Sequence, residues 1–142
     1  MARPLRLLLD INVILDVLQR REPHFMDSAS VVAAAESGRC QGMVAAHTIT
    51  TIFYLVAKHS SPETARLQIA EMLRFLDVAA VDRAALVRAL TMPYADFEDA
   101  VQMAAASAAG ADYVVTRDLS DYLHGPLPAL TPAEALALLP RD

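Results

Sequence analysis

The order of short apolar runs and helix-like stretches is the feature that most restricts the fold of this chain. Four apolar runs have the length and the boundaries of strands, at residues 5–9, 42–46, 78–81 and 113–116. The sequence between them has helical period. Single strands that alternate with helices predict right-handed βαβ units and a largely parallel sheet with helices on both faces. We therefore expect an α/β three-layer sandwich around a central, mostly parallel sheet of four to five strands.

Local signals mark the first of three predicted helices. Asp27 or Ser28 is suited to cap its N-terminus, because a side-chain oxygen there accepts a hydrogen bond from a free backbone N–H. The helix is expected to run to Glu36. Gly38, just past that end, suits the left-handed conformation that commonly stops a helix.

The other two predicted helices begin at residues 60–63 and near Asp96. In the first of these, serine, proline and glutamate suit the cap and the first turn. Its apolar residues keep the spacing of one buried face: Ala65, Ile69, Met72, Leu73 and Leu76. The second runs to Ala109 and stops at Gly110, and its alanines allow close packing against a sheet or another helix.

The composition is that of one globular domain. The 142 residues are 55% apolar and contain no repeat or Gly/Ser linker, so a single domain over residues 1–142 is expected. No segment approaches the roughly 18 uninterrupted apolar residues of a membrane span. The N-terminus also lacks a signal-peptide pattern, which predicts a cytoplasmic protein without a membrane partner. Cys40 is the only cysteine, so a disulfide within the chain is excluded.

The charge balance restricts how nucleic acid could be bound. The net charge is −5, and the cationic side chains are eleven arginines and one lysine, Lys58. Non-specific affinity for nucleic acids should be weak, because it comes from many cationic groups that release counterions from phosphates. A nucleic-acid substrate would therefore have to be attracted by a local arginine patch or by a metal ion.

Four aspartates occupy positions where α/β proteins concentrate their chemistry. In an open parallel sheet, function lies just beyond the carboxyl ends of the strands. Asp10 follows the first strand in LLLDIN, and Asp118 follows the last predicted strand in YVVTRD. Asp96 and Asp99 are three residues apart at the start of the alanine-rich helix, so both project from one side of its first turn. We expect these carboxylates to form one cluster.

Each aspartate also has a structural explanation, as a helix cap, a partner of the helix dipole or a turn residue after a strand. A cluster is harder to explain in this way, because two carboxylates roughly 4 Å apart repel by about 4 kcal/mol at an effective dielectric of about 20. A cation relieves such repulsion. Mg²⁺ or Mn²⁺ is predicted, since no lysine is nearby and the histidines lack zinc-site spacing. The histidines are expected to have structural or surface roles: His24, His47, His59 and His124.

Three segments that contain these aspartates resemble the PIN-domain family, in particular the bacterial VapC-like toxin ribonucleases. They are LLLDINVILD at residues 7–16, DFEDAVQMAAA at 96–106 and GADYVVTRDLSDY at 110–122. Their order and spacing extend over nearly the whole chain. The resemblance implies a PIN-like fold and a metal-dependent endoribonuclease that hydrolyses RNA phosphodiester bonds as the toxin of a toxin–antitoxin pair.

The resemblance also implies roles for individual residues. Asp10, Asp99 and Asp118 match the family's catalytic, metal-binding acids. Asp96 matches a companion acid that some branches of the family have beside Asp99. Asn12 matches the small polar residue that orients the loop after the first acid.

The remaining positions include one departure from the family. Thr116 matches the hydroxyl residue after the last long strand, and Asp121 is either an outer residue of the metal site or a solvated loop residue. The family usually places a glutamate in the helix after the second strand, whereas this chain reads AAHTITTIFYLVAK, with Thr51 near that position. Thr51 either hydrogen-bonds a metal-bound water or is only a residue near the helix start. The missing acid implies a one-metal site, a weaker nuclease or a protein that binds without cutting.

The implied mechanism is hydrolysis by a water whose pKa is lowered by the ion that Asp10, Asp99 and Asp118 hold. An acidic pocket repels RNA phosphates, so cationic side chains should assist the ion. Three arginines are candidates to contact the RNA backbone: Arg20, Arg21 and Arg117. For the first two, a solvated helix end is an equally good explanation.

The resemblance implies partners beside the RNA substrate, since toxin-type relatives usually form homodimers and are restrained by a small antitoxin protein that fills the acidic pocket. Two other functions stay open. The missing glutamate supports a catalytically weak or silent PIN-like module that binds RNA or protein. A phosphoryl-accepting receiver or phosphatase also has an aspartate after its first strand, but it normally uses a lysine after a late strand, whereas Lys58 lies in a mid-chain helix.

Overall fold

The computed structural model describes residues 3–141. These residues contain a five-stranded sheet in which every pair of neighbouring strands is parallel, in the order β3-β2-β1-β4-β5. The strands are β1 (Arg6–Leu9), β2 (Gln41–Ala45), β3 (Asp77–Ala79), β4 (Tyr113–Val115) and β5 (Ala129–Leu130). The predicted α/β sandwich with a central parallel sheet is therefore confirmed.

Helices connect the strands and lie on both faces of the sheet. They are α1 (Ile11–Leu18), α2 (Phe25–Glu36), α3 (Ala46–His59), α4 (Pro62–Met72), α5 (Arg83–Ala89), α6 (Phe97–Ala108) and α7 (Pro132–Leu138), with a short 3₁₀ helix at Leu119–Tyr122. Across residues 3–141, no helix combines the length and the apolar character needed to cross a bilayer.

The two faces of the sheet are buried in two separate cores, as the uninterrupted apolar sequence of β1 predicts. Leu7 and Leu9 point into the core formed with α1 to α4, whereas Leu8 points into the core formed with α6. All three side chains are fully buried. Side chains alternate between the faces of a strand, so Asp10, directly after Leu9, is directed to the α6 side.

The four predicted strands are present, each with boundaries that differ from the prediction by one or two residues. β5 was not predicted individually, because two residues are too few for a periodic signal. The strand order places β1 at the centre. From β1 the chain builds outward through β2 and β3, and it then returns to place β4 and β5 on the other side. The gap between β1 and β4 is therefore a topological switch point.

The prediction for the N-terminus of α2 was wrong. The helix begins at Phe25 with His24 at the cap position and without a side-chain capping bond, so neither Asp27 nor Ser28 caps it. Ser28 is fully buried, and its hydroxyl donates to Asp16 instead. The end of the helix agrees with the prediction, since Gly38 has the positive φ of +83°.

The starts of α4 and α6 agree with their predicted capping residues. Ser61 accepts a hydrogen bond from the Thr64 N–H, and Asp96 caps α6. One predicted core residue of α4 is an exception: Leu73 is 44% exposed, because the helix ends at Met72 and the chain turns there. Gly110, with φ of +79°, follows α6 as expected.

Candidate active site

The candidate site lies at the switch point, where the carboxyl ends of β1 and β4 meet. Leu9 is in register with Val115, and the Asp10 N–H continues the pairing by donating to the Val115 carbonyl at 3.0 Å. Thr116, the first residue after β4, lies beside Asp10. Two segments more than one hundred positions apart in sequence thus supply adjacent polar side chains.

The Asp10 carboxylate is buried and is surrounded by donors. Its Oδ1 accepts from the Ile11 N–H at 2.9 Å and from the Gln102 side-chain amide at 3.2 Å, and its Oδ2 accepts from the Thr116 hydroxyl at 2.9 Å. The Tyr122 hydroxyl is 3.3 Å from Oδ1. Burial raises the pKa of Asp10, and these hydrogen bonds oppose the rise.

Asp99 lies opposite, in the first turn of α6, and is half-buried. The Tyr122 hydroxyl donates to its Oδ1 at 3.0 Å. Loss of hydration raises the pKa of Asp99 to about 6, the Tyr122 hydrogen bond opposes this rise, and the negative charges of Asp96, Asp10 and Asp121 add to it. The structure therefore brings two of the predicted metal-binding acids to one tyrosine hydroxyl.

Tyr122 fills the space between these acids. Its side chain is buried, with the ring packed edge-on to Tyr94 at a centroid distance of 6.0 Å. The Gln102 amide donates to its oxygen as well as to Asp10. Burial and both carboxylates raise the pKa of Tyr122 far above its ordinary value, so the hydroxyl keeps its proton and remains a donor.

Asp118, the third predicted acid, is not part of this hydrogen-bonded group. It is exposed, and within residues 3–141 its carboxylate makes no hydrogen bond or ion pair. Its backbone N–H donates to the Thr116 hydroxyl at 3.0 Å. Thr116 therefore connects the backbone of Asp118 to the carboxylate of Asp10, which gives the predicted hydroxyl residue a defined structural role.

Asp96 and Asp121 lie on the outer side of Asp99. The Asp96 carboxylate accepts from the N–H groups of Glu98 and Asp99, at 2.8 and 3.4 Å, which confirms its structural explanation as a helix cap. Asp121 is exposed in the 3₁₀ helix. Together with Asp99 they line an open cavity of about 410 Å³, so the entrance to the site is acidic.

The donor set fits a hard divalent cation in part. Carboxylate oxygens of Asp10 and Asp99 are suitable ligands for Mg²⁺ or Mn²⁺. However, among the described residues no group of three or more Asp, Glu, His or Cys side chains is close enough to hold a metal ion. A cation, which the sequence predicted, is not the only means of relieving the repulsion, because the donors Tyr122 and Gln102 and the raised pKa of Asp99 also relieve it.

Asn12 lies two residues after Asp10, whereas Arg20 and Arg21 follow the end of α1. Asn12 lies in the first turn of α1, and its side-chain oxygen is 3.4 Å from the Arg21 guanidinium, which also donates to Gln19 at 3.0 Å. Arg20 is exposed, with its guanidinium 5.2 Å from the centre of the Phe25 ring. Their proposed contacts with RNA stay predictions.

Arg117 has a role that was not predicted. Its Nε lies 2.9 Å from Oδ2 of Asp16, and a second guanidinium nitrogen donates to Oδ1 at 3.2 Å. Asp16 is fully buried and also accepts from Ser28. The Arg117 side chain is only 23% exposed, so its guanidinium balances a buried charge. A contact between Arg117 and RNA would have to use the same guanidinium that is paired with Asp16.

Sequence reasoning missed Gln102 and Tyr122. A signal existed for Gln102, which lies three residues after Asp99 and is the one amide in the apolar stretch AVQMAAA of α6. No comparable signal marks Tyr122, because its contacts are formed only by the tertiary fold. Thr51, near the position where the resemblance implies a glutamate, is half-buried within α3, and in the described part of the chain its side chain has no hydrogen-bond partner.

Comparisons with known proteins agree with this architecture. A family model described as a PIN domain matches residues 6–120. No curated protein matches the chain by sequence.

Several solved structures share the fold. A toxin–antitoxin complex from Klebsiella pneumoniae matches with a TM-score of 0.66 and 19% identity, over 88% of this chain and 96% of that chain. A DNA-bound VapBC from Salmonella typhimurium matches with a TM-score of 0.66 and 18% identity, over 90% and 98%. VapC20 from Mycobacterium tuberculosis, a toxin that cleaves the sarcin-ricin loop, matches with a TM-score of 0.63 and 13% identity, over 96% and 98%.

Proposed function

The chain belongs to the PIN-domain family, and from this membership we propose that it is a metal-dependent endoribonuclease, the toxin of a toxin–antitoxin pair. The observation that carries the proposal is the pair of Asp10 and Asp99, which face one hydroxyl at the switch point of the sheet. The solved relatives support it, since they include toxin–antitoxin complexes and a sarcin-ricin loop cleaving toxin.

The chemistry follows from the oxygen ligands. When bound, a divalent ion would supply a lowered pKa for a nearby water and positive charge to offset that of the phosphate. Asp10 and Asp99 would hold the ion, and Asp118 would join them. Thr116 and Gln102 fix the orientation of the Asp10 carboxylate, because each donates to a different oxygen of it. Such outer partners orient the ligands of metal sites.

The RNA backbone would enter over the open acidic cavity, where cationic side chains would have to offset the repulsion between its phosphates and the carboxylates. Arg21, which reaches Asn12 in the first turn of α1, and its neighbour Arg20 are proposed to contact phosphates. Asp121 is proposed as an outer acid at the cavity, and Thr51 as a residue without a direct part in catalysis. Asp121 lines that cavity together with Asp99.

The decisive experiment replaces the two central acids. Asp10→Asn and Asp99→Asn should each reduce Mg²⁺- or Mn²⁺-dependent cleavage of a mixed RNA pool by more than about 100-fold, since even outer residues of a metal site cost about 10- to 100-fold. Asp77→Asn is the matched control, because this exposed aspartate lies at the start of β3, away from the site. Circular dichroism checks that every variant is folded. Wild-type cleavage by the folded double variant would exclude this site.

We also propose the partners and the compartment. A small antitoxin protein would occupy the acidic cavity, the toxin would form a homodimer, and both would be cytoplasmic. Light scattering on the purified chain tests the dimer. A monomer at micromolar concentration would contradict it.

A second candidate is a catalytically weak or silent PIN-like module that binds RNA or protein. Thr51 in place of an acid favours it, as does the hydroxyl of Tyr122 between the two carboxylates. Metal-dependent turnover separates this candidate from the first. The phosphoryl-accepting alternative is not carried further, because the family membership gives it no support.

A further inference from the structure

The Tyr122 hydroxyl lies between the carboxylates of Asp10 and Asp99. It is 3.3 Å from Oδ1 of Asp10 and 3.0 Å from Oδ1 of Asp99. Oxygens that converge on one point from two acids are the arrangement that a divalent cation seeks. Here a neutral hydroxyl, held by a buried ring, lies at that point.

The single hydroxyl proton is directed to Asp99. Gln102 donates to the oxygen of Tyr122, so that oxygen acts as an acceptor on one side. Asp10 also accepts from Ile11, Thr116 and Gln102, and among its hydrogen bonds the one from Tyr122 has the smallest effect on its pKa. Asp99 has no other side-chain donor among residues 3–141, so the tyrosine proton is its main compensation.

We propose that the Tyr122 hydroxyl is an internal competitor for the divalent cation, and that the ion must displace it from between Asp10 and Asp99 in order to be bound. The inference rests on the proposed function, since it concerns the same site. It makes Tyr122 a positioning residue of the metal-free protein rather than a catalytic residue.

Asp118 directly precedes the 3₁₀ helix Leu119–Tyr122, and Tyr122 ends it. Asp118 is exposed while Tyr122 fills the gap between Asp10 and Asp99. A shift of the whole 3₁₀ helix that withdrew the hydroxyl would therefore also move Asp118.

Tyr122→Phe tests the proposal. The ring and its packing are kept, and only the competing hydroxyl is removed. Isothermal titration with Mg²⁺ should show affinity increased by about tenfold, because a hydrogen bond to a charged group no longer has to be broken. The control is Tyr54→Phe, on the exposed surface of α3, which should bind Mg²⁺ as the wild type does.

Tyrosine fluorescence provides a second readout that does not depend on activity. The chain has four tyrosines and no tryptophan, so tyrosine emission is observed without interference. A carboxylate that accepts from a tyrosine hydroxyl changes its emission. Mg²⁺ should therefore alter the emission of the wild type and of Tyr54→Phe, and should leave that of Tyr122→Phe unchanged.

The outcomes separate the two proposals. If the wild type binds Mg²⁺ and cleaves RNA while Tyr122→Phe binds Mg²⁺ equally or more weakly, the competitor role is wrong and the nuclease stands. If wild type and variant both fail to bind Mg²⁺ and Mn²⁺, both proposals fail. Should Tyr122→Phe not fold, unchanged emission of the wild type at saturating Mg²⁺ would by itself overturn the competitor role.

Discussion

At the scale of single residues, Asp99 is a carboxylate of the site whose charge changes close to neutrality. Its pKa is raised to about 6 by burial and by neighbouring acids. A cation binds the ionised carboxylate and competes with the proton. We expect Mg²⁺ affinity to be nearly constant above pH 7 and to fall by about tenfold per unit below pH 6. Titration calorimetry between pH 5 and 8 measures this, and affinity independent of pH would contradict it.

The same residue affects the stability of the metal-free protein. Between its ordinary pKa of 3.8 and about 6, Asp99 holds its proton in the folded state and loses it in the unfolded chain. The stabilisation is therefore fully present below pH 3.8 and is lost as the pH rises through 6. The pKa of Asp10 is also raised, so its contribution to stability is likewise lost as the pH rises. The pKa of Asp112 is lowered by Arg3, so its contribution to stability is instead lost as the pH falls.

Urea unfolding with EDTA at pH 4.5 and pH 7 tests this sign. The midpoint of the wild type should decrease towards pH 7, and Asp99→Asn, which cannot ionise there, should show a smaller decrease. An equal change in both proteins would assign the effect to other groups.

The residues that could be predicted are those whose role follows from their place on an element. Asp10 and Thr116 follow parallel strands, and Asp99 begins a helix, so sequence alone directs all three to one edge of the sheet. Gln102 and Tyr122 could not be assigned in this way, because a buried amide or phenol acquires its partners only when separate elements pack. Arg117 next to Asp118 suggested a surface cation, yet its partner Asp16 is contributed by α1.

At the scale of elements, the ion pair of Asp16 and Arg117 joins α1 to the segment after β4, and Ser28 adds α2. Arg117→Met should reduce the free energy of unfolding by about 3–5 kcal/mol, since it leaves a fully buried carboxylate without its cation. Urea denaturation measures the loss.

Two comparisons make this prediction specific. Asp16→Asn combined with Arg117→Met should be less destabilised than the sum of the single changes, because neither charge is then left unpaired. The surface pair of Arg74 and Glu71 is the matched control, and Arg74→Met should change stability by less than about 1 kcal/mol. Equal effects at both pairs would show that burial does not matter here.

The contact between β2 and α2 offers another prediction at this scale. A Cβ added to Gly42 would lie 2.7 Å from Leu76 and 2.9 Å from the side chain of Ala35. Gly42→Ala should therefore force the helix away from the sheet and destabilise the protein by about 1–3 kcal/mol. Thermal unfolding measures the change, and an unaltered or higher midpoint would contradict the packing.

The elements themselves show where prediction from sequence succeeds. Strands and helix ends with apolar period or capping residues were found, as at Asp96 and Gly110. The start of α2 was not predicted correctly, because the Ser28 hydroxyl, which would suit a helix cap, donates a hydrogen bond to Asp16 in the core. A serine such as Ser28 can either cap a helix or donate a hydrogen bond in the core. Tertiary contacts decide between these two roles, and the sequence alone does not show which one is taken.

At the scale of the whole molecule, the net charge of −5 predicts weak non-specific attraction for RNA, so under the proposed function individual arginines should contribute a large share of RNA affinity. Arg20→Ala with Arg21→Ala should weaken RNA binding in the presence of Mg²⁺, and should reduce the slope of log affinity against log salt by about 1.4, for two phosphate contacts on a single strand. Arg141→Ala is the control, since this exposed arginine follows α7, away from the site. A slope unchanged in the double variant would mean that other groups contact the RNA.

The central position of β1 has a consequence for biosynthesis. Asp10 leaves the ribosome before its partners Thr116 and Tyr122, which follow 106 and 112 positions later. A nascent chain therefore carries only one half of the pocket until Tyr122 has been synthesised. Products of premature termination before residue 122 should lack a complete site.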